Sequence, residues 1–93
     1  MKPPRTVHTT HKFDKAVALV KRRGKDMAKL RAAIELLATR QPLPRELKDH
    51  PLKGDWKNYR DLHIESDWLL LYKTDDANLW LVHTGTHSDI FGV

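Results

Sequence analysis

The run Trp68-Leu69-Leu70-Leu71-Tyr72 is apolar at consecutive positions and is bracketed by Glu65-Ser66 on one side and Asp75-Asp76-Ala77-Asn78 on the other. Alternate residues of a strand point to opposite faces, so a strand is apolar throughout only where both faces are covered. Trp68 to Thr74 is therefore predicted to be a central strand, and the rest of the chain must supply neighbours on its edges and cover for its faces. Leu79 to Thr84 follows the Asp75–Asn78 turn and reads as one neighbour. Trp56 to Ile64 reads as the other, with Trp56, Leu62 and Ile64 on one side and Lys57, Tyr59, Asp61 and His63 on a wet side. The expectation is an antiparallel meander of at least three strands.

The N-terminal half provides the cover. Arg5 to Thr9 reads as a short first strand. Thr10 is a helix cap, after which Phe13, Ala16, Val17 and Val20 share one helical face, giving a helix over about 12–23. Gly24 ends it, Asp26 caps the next, and Met27, Leu30, Ile34 and Leu37 again share a face as far as about Thr39. Gln41 to Pro44 stops the second helix, because each proline disfavours helical backbone in the residue before it. The fold class expected is α+β, a two-helix antiparallel hairpin packed on a mainly antiparallel C-terminal sheet. The chain has 93 residues, which is one domain spanning 1–93. Residues 1–4, with Pro3 and Pro4, read as a disordered leader.

Composition narrows the class. No apolar run approaches the roughly 20 residues of a membrane-spanning helix, and the start MKPPRTVHTT lacks a signal-peptide core, so a cytoplasmic protein is expected. There is no cysteine, which removes disulfides and thiolate metal sites. The net charge of +5 favours an acidic or polyanionic partner. The span Lys12 to Arg31 carries much of that charge, with only Asp14 and Asp26 opposing it, and a solvated helix face accounts for it as readily as a phosphate-binding one.

Four chemically capable residues stand near the central strand: His50, His63 and Asp67 before it and His87 in the tail THSDIF, with Trp68 and Phe91 beside them. RNA carries its own nucleophile in the ribose 2′-hydroxyl. A ribonuclease without metal then needs a base for that proton, an acid for the departing 5′-oxygen, and positive charge at the phosphate. Histidine serves the first two because both its protonation states are populated near neutrality. Lys, Arg or an imidazolium serves the third, and Arg60 and Lys53 are the cations expected there. Exposed aromatics could stack unpaired bases.

The motifs KDHPLKG, WKNYRDLHIE, DWLLLYK and THSDIFG, in this order and at these separations, resemble the YafQ branch of the RelE-like toxins of bacterial type II toxin–antitoxin systems, and KRRGKDMAKL in the helix pair is similar too. The resemblance covers about Thr6 to Gly92. It implies the RelE-like fold, a ribosome-dependent endoribonuclease that cuts messenger RNA in the ribosomal A site, and an acidic cognate antitoxin through which the complex binds operator DNA. It places the active site on His50, His63, Asp67 and His87, with Trp68 and Phe91 on the functional surface. No metal and no cofactor are expected, since histidine acid–base chemistry needs neither.

Each residue also has a plain reading. His50 is a loop histidine before Pro51, His63 could be a surface residue paired with Asp61, and Asp67 could cap backbone amides in a turn. Trp68 shares a face with Leu70 and Tyr72 and could be core; His87 could be a frayed tail residue, and Phe91 could merely pin that tail. Competing chemistry is weaker. His83 and His87 have an i, i+4 spacing, but Thr84-Gly85-Thr86 between them favours turn or strand over a helical zinc pair, and neither GxSxG nor a glycine-rich phosphate loop is present. The alternative function is a non-catalytic toxin of the same fold directed at DNA or gyrase.

Overall fold

The protein is described by a computed structural model over residues 2–92. Its elements are β1 (Thr6–Thr9), α1 (His11–Arg22), α2 (Met27–Ala38), β2 (His50–Pro51), β3 (Arg60–Glu65), β4 (Trp68–Thr74), β5 (Asn78–Gly85) and α3 (His87–Phe91), with 3₁₀ turns at Arg45–Leu47 and Gly54–Trp56. The strands form one mixed sheet in the order β1-β5-β4-β3-β2. β4 is central, and its residues Trp68 to Tyr72 are all buried.

Both helices begin where their caps were expected. The Thr10 hydroxyl accepts the Phe13 amide at 3.0 Å, and the Asp26 carboxylate accepts the Ala28 amide at 3.0 Å. Gly24 holds φ at +85°, a left-handed turn that a side chain would oppose. Phe13, Val20, Leu30, Ala33 and Leu37 from the helices meet Leu62, Trp68, Leu70, Tyr72, Leu79 and Leu81 from the sheet in the main core. Each fully buried side chain of this kind contributes roughly 1.5–3 kcal/mol.

The opposite face has a smaller core. Leu69 and Leu71 of β4 and Ile90 of α3 are joined by Leu52, Trp56, Val82 and Phe91. The chain between β2 and β3, together with α3, thus covers the β3/β4 half of this face. His50, Asp61, His63 and His87 gather at that cover.

The sheet is mainly antiparallel, as expected, and the short first strand joins it: β1 pairs with β5 in parallel, Thr6 opposite Asn78, a partner whose distance in sequence leaves no local trace. Two expectations are corrected. The strand expected from Trp56 begins only at Arg60, because Gly54–Trp56 turns as a 3₁₀ helix and Asn58 takes φ +80°, which reorients Trp56 onto the second core. Of the leader expected to be disordered, Met1 lies outside the described residues. Lys2 and Pro3 are held: Lys2 Nζ lies 2.7 Å from Asp76, and Arg40 Nε donates to the Pro3 carbonyl at 2.9 Å.

Candidate active site

The site is built around β3. Side chains alternate along this strand, so Leu62 and Ile64 enter the main core while Asp61 and His63 face the other way. β2 pairs antiparallel with β3, His50 opposite Asp61, which brings His50 beside both. The rings of His50 and His63 lie 5.9 Å apart, and those of His63 and His87 lie 5.7 Å apart. Three imidazoles from the short edge strand β2, its neighbour β3 and the C-terminal helix stand in a row.

His87 is held firmly. Thr86 caps α3 in a reciprocal box: its hydroxyl accepts the Asp89 amide at 3.0 Å, and Asp89 accepts the Thr86 amide at 2.9 Å. Arg23 bonds the same Asp89 at 2.6 and 3.2 Å, and its guanidinium drives the Asp89 carboxyl far below the usual carboxylate range. Asp67 Oδ1 accepts both the His87 amide, at 2.8 Å, and the His87 Nδ1, at 2.6 Å. A carboxylate that accepts from Nδ1 fixes the proton there and leaves Nε2 as the working nitrogen. Those bonds, the amide first, hold Asp67 below its ordinary value and so keep it ionised.

His50 is oriented by backbone. Its Nδ1 lies 2.7 Å from the Lys48 carbonyl, which can only accept, so Nδ1 carries the hydrogen and Nε2 is free. The same Nδ1 is 3.1 Å from Asp61 Oδ1, and His63 Nε2 is 3.9 Å from that oxygen. Oδ1 of Asp61 is nonetheless without an aligned donor, because the one His50 hydrogen points to Lys48. Asp61 is 3% exposed. Burial raises its pKa, opposed by the attraction of His50 and then His63. Burial lowers the pKa of His63, against the pull of Asp61. Asp61 was foreseen only as an ordinary surface partner for His63; a carboxylate two residues before a histidine on the same strand face was the available signal.

Asp49 fixes the approach to His50 from the other side of the sheet. It accepts Arg60 Nη2 at 2.8 Å and Nε at 3.2 Å, and also the Tyr72 hydroxyl. Arg60 shares the strand face of Leu62 and points toward α2, lining a cleft with Arg5, Leu37 and Arg40. Its expected contact with RNA is therefore corrected: the guanidinium is committed to Asp49 on the face away from the histidines. Lys53 is exposed in the loop after β2.

Trp68 is corrected as well. It is 1% exposed, sits in the main core and donates its indole N–H to the Thr84 hydroxyl at 3.0 Å, so it offers no stacking surface. Phe91 does border the site, with its ring 6.5 Å from His87 and 6.3 Å from Trp56. His83 is buried, lines a separate cavity with Lys12, Lys15, Ala16 and Leu19 of α1, and does not join the cluster. His50, Asp61 and His63 could together hold a cation, since each offers a ligand atom within 4.8 Å of the others.

The row of imidazoles with carboxylates on two of them suits proton transfer, and the comparisons with known proteins agree with the architecture. The family model described as "Bacterial toxin of type II toxin-antitoxin system, YafQ" matches residues 5–92. The mRNA interferase toxin YafQ of Escherichia coli strain K12 is 46% identical over 89 residues, 95% of this chain and 97% of that one. The crystal structure of the E. coli DinJ-YafQ toxin–antitoxin complex superposes with a TM-score of 0.89 at 46% identity, covering 96% of this chain and 99% of the toxin. A metal-bound toxin from Helicobacter pylori superposes with a TM-score of 0.87 at 40% identity, covering 94% and 99%. This chain belongs to the YafQ family of type II toxin–antitoxin toxins.

Proposed function

We propose that the protein is an mRNA interferase that cuts messenger RNA on the ribosome by histidine acid–base catalysis. The observation that carries this reading is the row His50–His63–His87, with ring separations of 5.9 and 5.7 Å, backed by Asp61 at one end and Asp67 at the other. The relatives of similar sequence named as mRNA interferases support the substrate class.

In the proposed reaction the 2′-oxygen forms a bond to phosphorus as the P–O5′ bond breaks, leaving a 2′,3′-cyclic phosphate and a 5′-hydroxyl. His63, whose burial favours the neutral ring, accepts the 2′-hydroxyl proton. His50 in its protonated form offers Nε2–H to a phosphate oxygen. His87 supplies a proton from Nε2 to the departing 5′-oxygen, its ring aimed by Asp67. Each acid or base of this kind contributes about a hundredfold to ten-thousandfold in rate. Lys53 is the remaining candidate for a phosphate contact. His50 and His87 are each nearly half exposed, which supports a ribosome-dependent reaction in which the ribosome holds the messenger in attack geometry.

A cation on His50, Asp61 and His63 is the second reading of the same cluster, favoured by the 4.8 Å grouping. Chelator-treated protein retains cleavage on the acid–base reading and loses it on the metal reading. Messenger and ribosomes place the proposed activity in the cytoplasm; no described helix is long and apolar enough to cross a membrane.

The partner is an antitoxin, as the related DinJ-YafQ complex suggests, and the net charge of +5 calls for an acidic one. The cleft between α1 and α2, lined by Phe13, Val17, Met27, Leu30 and Ile34 with Lys21 and Arg31 beside it, suits an amphipathic acidic segment. The deciding experiment maps messenger 5′ ends in a translation reaction with and without ribosomes. Discrete new ends that require ribosomes and vanish in His87→Ala support the proposal. DNA damage with intact messenger would establish the non-catalytic alternative instead.

A further inference from the structure

On the half of the sheet face that α3 leaves uncovered, His8, Trp80 and Lys73 stand side by side on three adjacent strands. The register places His8 opposite Trp80 and Lys73 opposite Trp80, so all three project to one face. This is the face of the second core, because Leu79 and Leu81 flanking Trp80 enter the first. Among the described residues Trp80 belongs to neither core. Its ring is half-buried and stacks on His8 with centroids 5.5 Å apart at 19°. His8 is itself fixed by a 2.7 Å bond between Nε2 and Asn78 Oδ1.

The rings continue toward the histidines. Lys73 Nζ lies 5.1 Å from the Trp80 centroid and 5.8 Å from that of Tyr59. Tyr59 meets Trp56 edge-on at 5.8 Å, Trp56 meets Phe91 at 6.3 Å, and Phe91 borders His87 at 6.5 Å. Lys12 Nζ lies over Trp56 at 5.9 Å. An unbroken series of aromatic rings and ammonium groups thus leads from the imidazole row to the β1 edge. Such alternation of flat rings and cations is what an unpaired polynucleotide requires, with rings for base faces and ammoniums for phosphates.

We propose that Trp80, flanked by His8 and Lys73, is a base-stacking subsite for an unpaired nucleobase of the messenger lying several nucleotides from the scissile phosphate. This rests on the nuclease reading above and adds to it a second point of contact on the substrate. His63 lies opposite Leu69, while Lys73 lies opposite Trp80. Two strand spacings of about 4.8 Å and four residues of about 3.3 Å put the subsite about 16 Å from His63. That is the span of roughly three to five nucleotides at a rise of 3.4 Å or more. On binding, Lys73 exchanges its aromatic neighbours for a phosphate, which leaves Trp80 free on that side to take a base.

The test uses purified full-length protein, programmed ribosomes and messengers carrying one abasic nucleotide at successive positions on either side of the cut. With the wild-type protein, an abasic nucleotide at one position three to five residues away lowers the single-turnover rate about tenfold, within the range of base–aromatic stacking. Trp80→Leu lowers the rate on the intact messenger to the same degree and is insensitive to that abasic position, whereas Trp80→Phe, which keeps a flat ring, retains both the rate and the sensitivity. Thermal unfolding of both variants confirms that they are folded. Equal rates and equal abasic profiles for wild type and Trp80→Leu overturn the subsite while leaving the nuclease reading intact. A loss in Trp80→Leu with a flat wild-type abasic profile also overturns it, by placing Trp80 against ribosomal RNA or protein. If wild-type protein cuts no messenger under any condition, the nuclease reading falls and the subsite with it.

Discussion

Asp67 holds His87 twice, through the backbone amide at 2.8 Å and the ring Nδ1 at 2.6 Å, with the same carboxylate oxygen. One side chain in the β3–β4 turn therefore sets both the start of α3 and the direction of the His87 ring. His87→Ala is expected to reduce messenger cleavage about a hundredfold to ten-thousandfold. Asp67→Ala should lower kcat by less and leave KM nearly unchanged, since it misdirects a proton donor and removes no substrate contact. Asp67→Asn keeps an oxygen for the His87 amide and should recover part of the loss. Single-turnover rates on programmed ribosomes measure all three; an unchanged rate in His87→Ala would remove it from catalysis.

Asp61 makes the site costly to fold. Burial raises its pKa, so the folded chain ionises it less readily than the unfolded chain does. The stability it contributes is present below the unfolded value of 3.8 and declines as pH rises through the higher folded value. Asp61→Asn should therefore be more stable than wild type at neutral pH, with the difference vanishing near pH 3, while cleavage falls because the charge between His50 and His63 is gone. Urea denaturation across pH reads the first effect. Equal midpoints at neutral pH would show that the two imidazoles fully compensate the buried charge.

His63 shifts the other way. Burial lowers its pKa from 6.5, so its share of stability is complete above that value and is lost as pH falls through the lower folded value. NMR titration of the ring should place His63 below 6.5. In Asp61→Asn it should move lower still, because Asp61 is what raises it. An unmoved His63 in that variant would mean that Asp61 and His63 do not couple.

These two residues also show how much of the site could be read in advance. The two-helix hairpin was legible because its periodicity and caps at Thr10 and Asp26 are local, and the central strand because Trp68–Tyr72 is apolar at every position. The histidines were legible through motif resemblance, and His63 facing away from the main core through alternation. Asp61 obeyed the same alternation, but only packing distinguishes a buried carboxylate from a solvated one. The capping box of Thr86 and Asp89 is also present in THSD, yet a helix in the tail is not evident there, because its anchors, Arg23 and Asp67, lie far away in sequence. Arg60 failed for a related reason: a basic residue beside a histidine motif looks like a phosphate contact until Asp49 is seen to hold it.

Gly85 tests whether α3 must be seated closely. It holds φ at +145°, and a Cβ added there would lie 2.7 Å from Asp89 Oδ2 and 2.9 Å from Asp89 Cβ. Gly85→Ala must displace the residue that closes the capping box and meets Arg23. The expected cost is about 1–3 kcal/mol of stability, with a loss of cleavage although no imidazole has been altered. Chemical denaturation beside the ribosome assay checks it. An Ala variant with wild-type stability and activity would show that α3 can move as a unit without consequence.

The antitoxin interface should respond to both charge and apolar surface. Ile34 is partly buried on the α2 side of the cleft, which Arg31 of α2 and Lys21 of α1 also line. Ile34→Asp is expected to weaken antitoxin binding while leaving cleavage by the free toxin intact, since the cleft lies across the sheet from the histidines. Binding of the wild type should weaken as salt rises, because exposed charges are screened over about 8–10 Å at moderate ionic strength. Titration calorimetry at two salt concentrations measures both. A salt-independent affinity would assign the interface to apolar contact alone.

Trp68 separates a structural role from a functional one. Family resemblance put it on the RNA-facing surface, whereas here its ring is in the main core and its N–H is used by Thr84, which in turn donates to the Leu69 carbonyl at 2.7 Å. Trp68→Ala should cost about 3–5 kcal/mol, enough to unfold a marginal domain of this size. Trp68→Phe should be milder, losing one hydrogen bond of about 0.5–1.5 kcal/mol and part of the packing. If the ring only holds β4 against α1 and α2, residual cleavage by Trp68→Phe should track the folded fraction, with KM unchanged. A folded Trp68→Phe protein with normal stability and a raised KM would instead return Trp68 to the RNA surface. Thermal unfolding and steady-state cleavage, measured on the same preparation, decide between the two.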